Sequence, residues 1–445
     1  METSYRFNDF DPPIPFLTGD ASVLHSIICE VDRVTNLSPE GVEGRQASYL
    51  YDLMSYFSKK SFSFSKRLRG NIGNFSKNSK LSELLTVVQP EDKYFFQKIS
   101  KECKDSRVPK HHLPTHWAAT SGSTGVPLKV KCTAITRAIG MAMVPWTHLR
   151  SGTQFSWKMA SVKPTNCTQG EETSWDPASS LLFEVGPMLS ISSSEDVLSQ
   201  LDKLEGFQPD ILIIFPSVLK EYACLWKIGK RKPLELKIIR TMGESLCDDT
   251  RRIVEDLTGA TVLDTYSSSE VGRIATQVAP NSPYIANTYS LIVEVLNDKG
   301  ARCLPGEIGR VVVTDLFNYA TPLIRYDIGD WAIPSDTHHH NLTEIKGRSR
   351  NMITLPDGRK VWPLVGYREF SKIVPIRQFH IEQVEPDFLR ARFFVDFFPN
   401  ADQKEKIKEI IRENLGFPFR IEDSYQMGPL TKGANGKMED FVSLL

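Results

Sequence analysis

The chain has 445 residues, 40% hydrophobic and 24% charged, with 54 Lys and Arg balancing 54 Asp and Glu. Such a length exceeds one ordinary core, so two or more soluble globular domains are expected. A formal net charge of zero provides no global field for nucleic acid or anionic lipid, and neither is expected as a partner.

The opening METSYRFNDFDPP is polar and acidic rather than charged and then apolar, so no signal peptide is expected. Residues 45–105 carry apolar positions at helical spacing, such as Tyr49, Leu50, Leu53, Tyr56 and Phe57, and belong to an α-rich lobe over 1–110. Within it Lys59, Lys60, Lys66, Arg67 and Arg69 form a basic run, expected as a solvated face, with an anion patch as the alternative. Next comes Thr120-Ser-Gly-Ser-Thr-Gly-Val-Pro-Leu-Lys129, dense in glycine and hydroxyls, then a small apolar stretch, Ala134–Val144, suited to a buried helix. From 180 to 275 strand-like and helix-like runs alternate. Ser194–Leu201 has a cap and an acidic first turn, Ile211–Phe215 is a strand between prolines, and Ser217 is placed to cap the helix Val218–Leu225. Leu236–Thr241 is a strand, Asp248–Leu257 a helix and Thr261–Tyr266 a strand; this alternation predicts a largely parallel sheet with helices packed on it.

From about 287 the pattern turns to β, with strands at Tyr289–Leu296 and Gly309–Thr314 around a turn at Asn297–Gly300. His338, His339 and His340 lack regular ligand spacing and are expected in a solvated turn, with metal binding as the alternative. The last hundred residues carry a hairpin turn at Pro356-Asp-Gly358, strands at Arg377–Gln383 and Leu389–Val395, and a helix at Asp402–Leu415. The expected fold is therefore α/β. A large N-terminal domain, 1–347, has mostly parallel sheets and a small β subdomain at 287–346; a small α+β domain follows at 348–445. No uninterrupted apolar run approaches membrane-spanning length. Seven cysteines, Cys29, Cys103, Cys132, Cys167, Cys224, Cys247 and Cys303, are odd in number and include no CxxC pair, so free thiols in a reducing cytoplasm are expected.

The loop Thr120–Gly125 suits an anion. Its glycines let the backbone approach, its N–H groups and hydroxyls converge as donors, and Lys129 adds a cation. Phosphate is the natural ligand, and an unliganded surface loop is the alternative. The string is neither a Walker loop nor GxGxxG. At Asp264-Thr-Tyr-Ser-Ser-Ser-Glu-Val-Gly272 a strand ends in Tyr266, able to stack on a purine, and Glu270, able to ligate the Mg²⁺ of a nucleotide. At Thr321–Asp330 a Leu-Ile pair leads into Arg325, Asp327 and Asp330; the two carboxylates are acceptors suited to a ribose diol, or else turn caps and structural ion pairs. Gly433-Ala-Asn-Gly-Lys437 sets a lysine in a glycine-flanked loop.

In this order the motifs resemble the adenylate-forming superfamily of acyl-CoA synthetases, peptide-synthetase adenylation domains and luciferases. TSGSTGVPLK is similar to its phosphate loop, YSSSEVG to its Y-G-x-T-E segment, IRYDIGD to its ribose segment, GRSRNMI to its hinge and NGK to its catalytic-lysine loop. Pro216-Ser217-x-Leu219, Gly243-Glu244 and LIRYDIGD resemble the phenylacetate–CoA ligase branch. The resemblance covers the chain from roughly 115 onward.

It implies activation of a carboxylic acid by Mg·ATP to an acyl adenylate with release of pyrophosphate, then transfer to the thiol of coenzyme A. It implies roles for Thr120, Ser121, Gly122, Ser123, Thr124 and Gly125 on the phosphates, with Lys129 nearby, and for Gly243, Glu244, Asp264, Tyr266 and Ser267 in the nucleotide site. Glu270 would bind magnesium, Asp330 with Arg348 the ribose, and Lys437, together with Thr124 and Glu270, would carry catalysis. The segment Trp175–Pro187, with Phe183, Gly186 and Pro187 beside Tyr266 and Ser267, would line the acid pocket, and its aromatics favour an aryl acid. The small C-terminal domain would move about the hinge near Arg350. Cofactors are then ATP, Mg²⁺ and coenzyme A, in a monomer or homodimer. The alternatives are loading of a carrier-protein thiol or an amine, and an inactive relative serving as a scaffold. Three positions depart from the family pattern: Ser267 replaces the glycine after the tyrosine, Arg350-Asn351 replaces the acidic hinge residue, and Ala275–Ile285 lacks the Cys and His of the branch's zinc site, so no zinc is expected.

Overall fold

The structure is a computed structural model describing residues 19–68, 71–103, 107–119, 127–164, 169–336, 340–348, 351–363, 365–370, 372–431 and 440–445. The chain divides into two compact units. One comprises Met1–Trp157, Glu172–Met188 and Leu263–Ile345; the other comprises Lys158–Glu171, Leu189–Val262 and Lys346–Leu445.

The first unit opens with helices. Pro39–Lys60 starts on Ser38, whose hydroxyl accepts from the Gly41 amide; a proline follows at the first turn, and the helix ends on Lys59 and Lys60. Its apolar stripe, including Ala47, Leu50, Leu53, Met54 and Phe57, packs with Phe64, Leu81 and Leu84 against Ile292, Leu316 and Ile324. The stretch Ala134–Val144 does form a buried helix, but it runs on to Arg150 with Pro145 inside it. The β portion has three consecutive antiparallel strands, Leu291–Leu296, Gly309–Asp315 and Tyr326–Pro334. Gly300 at φ +76 makes the turn between the first two, where the Asn297 amide donates to the Ala301 carbonyl.

The second unit holds the parallel sheet, in which Ile211–Ile214 lies between Met159–Lys163 and Ile238–Met242. One face of the sheet is apolar and covered by helices. Leu201, Leu204, Val218, Leu219, Tyr222 and Val254 pack on Leu212, Ile214 and Ile239. Asp196, rather than Ser194, caps Val197–Phe207, accepting from the amides of Leu198 and Ser199. Gly259, left-handed at φ +68, ends the helix Asp248–Thr258.

The same unit contains a four-stranded sheet in the order Arg420–Gln426, Phe388–Val395, Ile376–Glu385, Phe441–Ser443, with the capped helix Ala401–Leu415. Its own core is built on Phe370, Phe379, Phe393, Ile407 and Ile411. The turn at Gly358, φ +85, joins Ile353–Thr354 to Lys360–Val361. Among the described residues no helix is long and apolar enough to cross a membrane. The six described cysteines are free thiols, and Cys167 lies outside the described residues.

Candidate active site

The strand Thr261–Ser268 turns back antiparallel into Gly272–Thr276, with Gly272 at φ +73. Alternation along a strand puts Asp264 and Tyr266 on one face. Directly after Tyr266 the register shifts, a bulge that re-aims the chain toward Glu270. The Tyr266 hydroxyl donates to Asp330 Oδ2 at 2.8 Å. Asp330 lies on Tyr326–Pro334, and from that strand the Tyr326 hydroxyl donates to Glu270 Oε1 at 3.1 Å. Each motif thus supplies a tyrosine to the other motif's acid. A third pair is local: the Tyr284 hydroxyl donates to Asp264 Oδ2 at 2.7 Å. Tyr266 and Tyr326 share a core with Val130, from the strand Lys129–Cys132 that follows the hydroxyl-rich loop, and with Leu128 just before that strand.

The charged residues of Thr321–Asp330 divide by role. Arg325 is buried at φ +50; its guanidinium forks onto both oxygens of Glu294 at 3.0 Å and donates to the carbonyls of Leu85 and Val88. Such a geometry is structural. Asp327 accepts from Arg310 and from the Gly329 amide, which is the ion-pair and turn-cap alternative. Asp330 is therefore the acid of this segment that meets the Tyr266 string. The basic run divides likewise. Lys59, Lys60 and Lys66 are exposed as expected, but Arg67 lies against Phe95 and Phe96 and donates to the carbonyls of Gln89 and Arg325. Burial lowers its guanidinium to about 9.

In the second unit Gly243 ends a strand at φ +79, and Glu244 accepts from both the amide and the hydroxyl of Ser217, at 2.8 and 3.1 Å. Ser217 is thus not a helix cap, because the helix begins one residue earlier, at Pro216. The Glu244 carboxylate takes that place and faces the positive end of the helix dipole. Arg348 is exposed, and its amide donates to Asn351 Oδ1.

The segment around 175–187 packs on itself. Phe183 stacks on Phe155 at 3.9 Å between centroids, and Phe155 on Trp175 at 5.4 Å. Gly186 donates its amide to the Phe155 carbonyl, and a β-carbon there would lie 2.4 Å from the Trp157 carbonyl oxygen. Gly186 is required by close backbone approach, and Phe183 is at least half committed to the stack. Pro187 and Ser267 are half-buried.

No family model matches the chain. A curated relative, phenylacetate–coenzyme A ligase of Pseudomonas putida, is 27% identical over 191 residues, 41% of this chain and 43% of that protein. The match therefore spans less than half the length of that relative. Among solved structures, 2-hydroxyisobutyryl-CoA ligase with its acyl adenylate aligns at TM-score 0.68 and 17% identity, covering 89% of this chain and 88% of that one. The chain has the adenylate-forming fold. Anthranilate CoA ligase with anthranoyl-AMP aligns at TM-score 0.57 and 16% identity, over 72% of this chain and 64% of that one. Benzoate CoA ligase of Burkholderia xenovorans LB400 aligns at 0.53 and 14%, over 73% and 67%.

On the adenylate-forming fold the described nucleotide-string residues form two clusters, one in each unit. Tyr266, Asp330, Glu270 and Asp264 are brought together with Tyr326 and Tyr284 in the first unit, and Gly243 and Glu244 with Ser217 in the second. Lys129, exposed, begins the strand that pairs with His116–Ala119. Thr120–Gly125, including Thr124, lie outside the described residues, as do Arg350 and Lys437. His338 and His339 also lie outside them, and His340 is buried rather than solvated. Sequence reasoning missed Tyr326 and the Ser217–Glu244 link, although both sit inside strings already singled out. It also missed Arg273, which donates to the Met143 carbonyl and the Thr147 hydroxyl and ties the strand Gly272–Thr276 to the helix Ala134–Arg150.

Proposed function

We propose that the chain activates a carboxylic acid with Mg·ATP as an acyl adenylate and passes the acyl group to the thiol of coenzyme A. The observation that carries this is the crossed pairing of Tyr266 with Asp330 and of Tyr326 with Glu270. Two motifs far apart in sequence, each of nucleotide-binding type, meet there on a fold shared with acid–CoA ligases.

On this reading the carboxylate of the acid attacks the α-phosphorus and pyrophosphate leaves. The thiolate of coenzyme A then attacks the acyl carbon and AMP leaves. The work of the protein is positional and electrostatic. Thr120–Gly125 and Lys129 would hold the phosphates, with Thr124 among the catalytic groups. Glu270 would present an acceptor-only carboxylate to the magnesium of Mg·ATP, the kind of oxygen ligand a hard cation takes. Asp330 and Arg348 would hold the ribose, Tyr266 and Gly243-Glu244 the adenine, and Lys437, in a terminal domain of 348–445 that moves about Arg350, the acid and the α-phosphate.

An aryl acid is the preferred substrate. Support comes from the aromatic segment Trp175–Phe183 and from relatives named for phenylacetate, anthranilate and benzoate. The relative named for 2-hydroxyisobutyrate keeps a small aliphatic acid as the second candidate. The test is product mass after incubation with ATP, Mg²⁺, coenzyme A and a panel of both acid types. An aryl-CoA mass is expected. Adenylate that accumulates without any thioester points to a carrier-protein thiol or an amine as acceptor, and absence of both products with every acid contradicts the proposal.

A further inference from the structure

The sequence motifs assign Glu270 and Asp330 but give no task to Tyr326. Its side chain is 1% exposed, so its hydroxyl requires a partner, and the partner is the Glu270 carboxylate. Nothing about the ring leaves it free to swing. Its backbone pairs with Val313 on one side and bridges to Glu91 on the other, where the Asp327 amide donates to the Glu91 carbonyl at 2.8 Å. Its edge abuts Phe96, at 5.1 Å between centroids and 72° between planes. Glu270, by contrast, sits in the turn between two strands, where backbone pairing does not fix it.

From this we infer that Tyr326 is the positioning residue for Glu270: a clamped phenol that holds one carboxylate oxygen and so aims the other at the divalent cation of a bound nucleotide. The inference rests on the Mg·ATP reading of the site. An ionised carboxylate offers about four lone-pair positions on two oxygens. One donor on Oε1 removes rotamer freedom while leaving Oε2 as ligand, the arrangement by which hydrogen-bonded carboxylates are oriented in metal sites generally.

The test is ATP binding by the full-length chain, followed calorimetrically at graded Mg²⁺, for wild type, Tyr326→Phe, Glu270→Gln and the double variant. Phenylalanine keeps the ring and its packing and removes only the hydroxyl. Tyr326→Phe is expected to raise the Mg²⁺ concentration for half-maximal binding about tenfold, the scale of one hydrogen bond to a charged group. In the Glu270→Gln background it is expected to add nothing, because the two residues act as a unit. Phe96→Leu loosens the ring clamp while leaving both polar groups in place, and it is expected to move the Mg²⁺ dependence in the same direction by less. An unshifted Mg²⁺ dependence in Tyr326→Phe and Phe96→Leu overturns the inference alone, as does an equal effect of Tyr326→Phe in both backgrounds. Absence of ATP binding by wild type at every Mg²⁺ concentration overturns the nucleotide reading and this inference with it.

Discussion

Asp315 ends the strand Gly309–Asp315 only 4% exposed, and its carboxyl is raised to about 7, chiefly by burial, against amide hydrogen bonds from Phe317 and Asn318 that favour the charge. A carboxyl raised in the folded state binds its proton more tightly there than in the unfolded chain. Its stabilising contribution is complete below the ordinary carboxylate value of 3.8 and is lost as pH rises from there through about 7. Asp315→Asn retains an acceptor for the Phe317 amide but cannot titrate. Melting temperatures across pH 4 to 7 (the range set by those two values) should therefore fall less steeply for Asp315→Asn than for wild type, and parallel curves would contradict the assignment. A second residue-scale prediction follows from the role proposed for Lys437. Lys437→Ala should abolish adenylate formation yet spare thioester formation from a supplied acyl adenylate, as single-turnover assays of each step can tell. Equal loss of both steps would refute that role.

The helix Pro216–Lys227 shows how one element joins distant parts of the second unit. At its first turn Ser217 binds Glu244. In its middle Lys220 reaches Asp440 at 2.9 Å and lies 4.0 Å over the Phe379 ring. Glu221, 2% exposed, accepts from Gln378 at 2.6 Å with Arg377 at 4.0 Å, and Gln378 in turn accepts from the Leu430 amide. Removing one member of a buried polar group strands the others. Glu221→Ala should accordingly cost about 3 kcal/mol, measured by denaturant unfolding, whereas Glu221→Gln, which keeps an acceptor for Gln378, should cost less; equal, negligible losses would show the group to be ornamental to stability. The fate of the sequence-based expectations follows the same division. Strand cores such as Ile211–Ile214, the helix Ala401–Leu415 and the turns at Gly300 and Gly358 were legible, because local periodicity and turn chemistry dictate them. Helix starts were less so. Ser194 and Ser217 both read as caps, but Asp196 caps the first helix, and Pro216 lets the second begin early so that Ser217 bonds Glu244 instead.

At the scale of the whole molecule, the strings proposed for the site stand out in the sequence because each is short and chemically dense, while their mutual contacts do not. Tyr326 and Glu270 are 56 residues apart, and Tyr266 and Asp330 are 64; no local pattern announces a pairing over such distances. The same holds for Arg325, whose buried partner is Glu294, 31 residues away. What the fold adds is therefore the crossing of the Tyr266–Glu270 and Tyr326–Asp330 strings, on a core that also contains Leu128 and Val130 from the end of the hydroxyl-rich string and just after it. The direct measurement of the central claim is acid-dependent exchange of labelled pyrophosphate into ATP, run over an acid panel with Glu270→Gln as the control. The account predicts exchange with at least one acid, abolished without acid and strongly reduced in Glu270→Gln. Exchange with no acid, from a folded chain that binds Mg·ATP, would contradict it and leave a nucleotide-binding scaffold in its place.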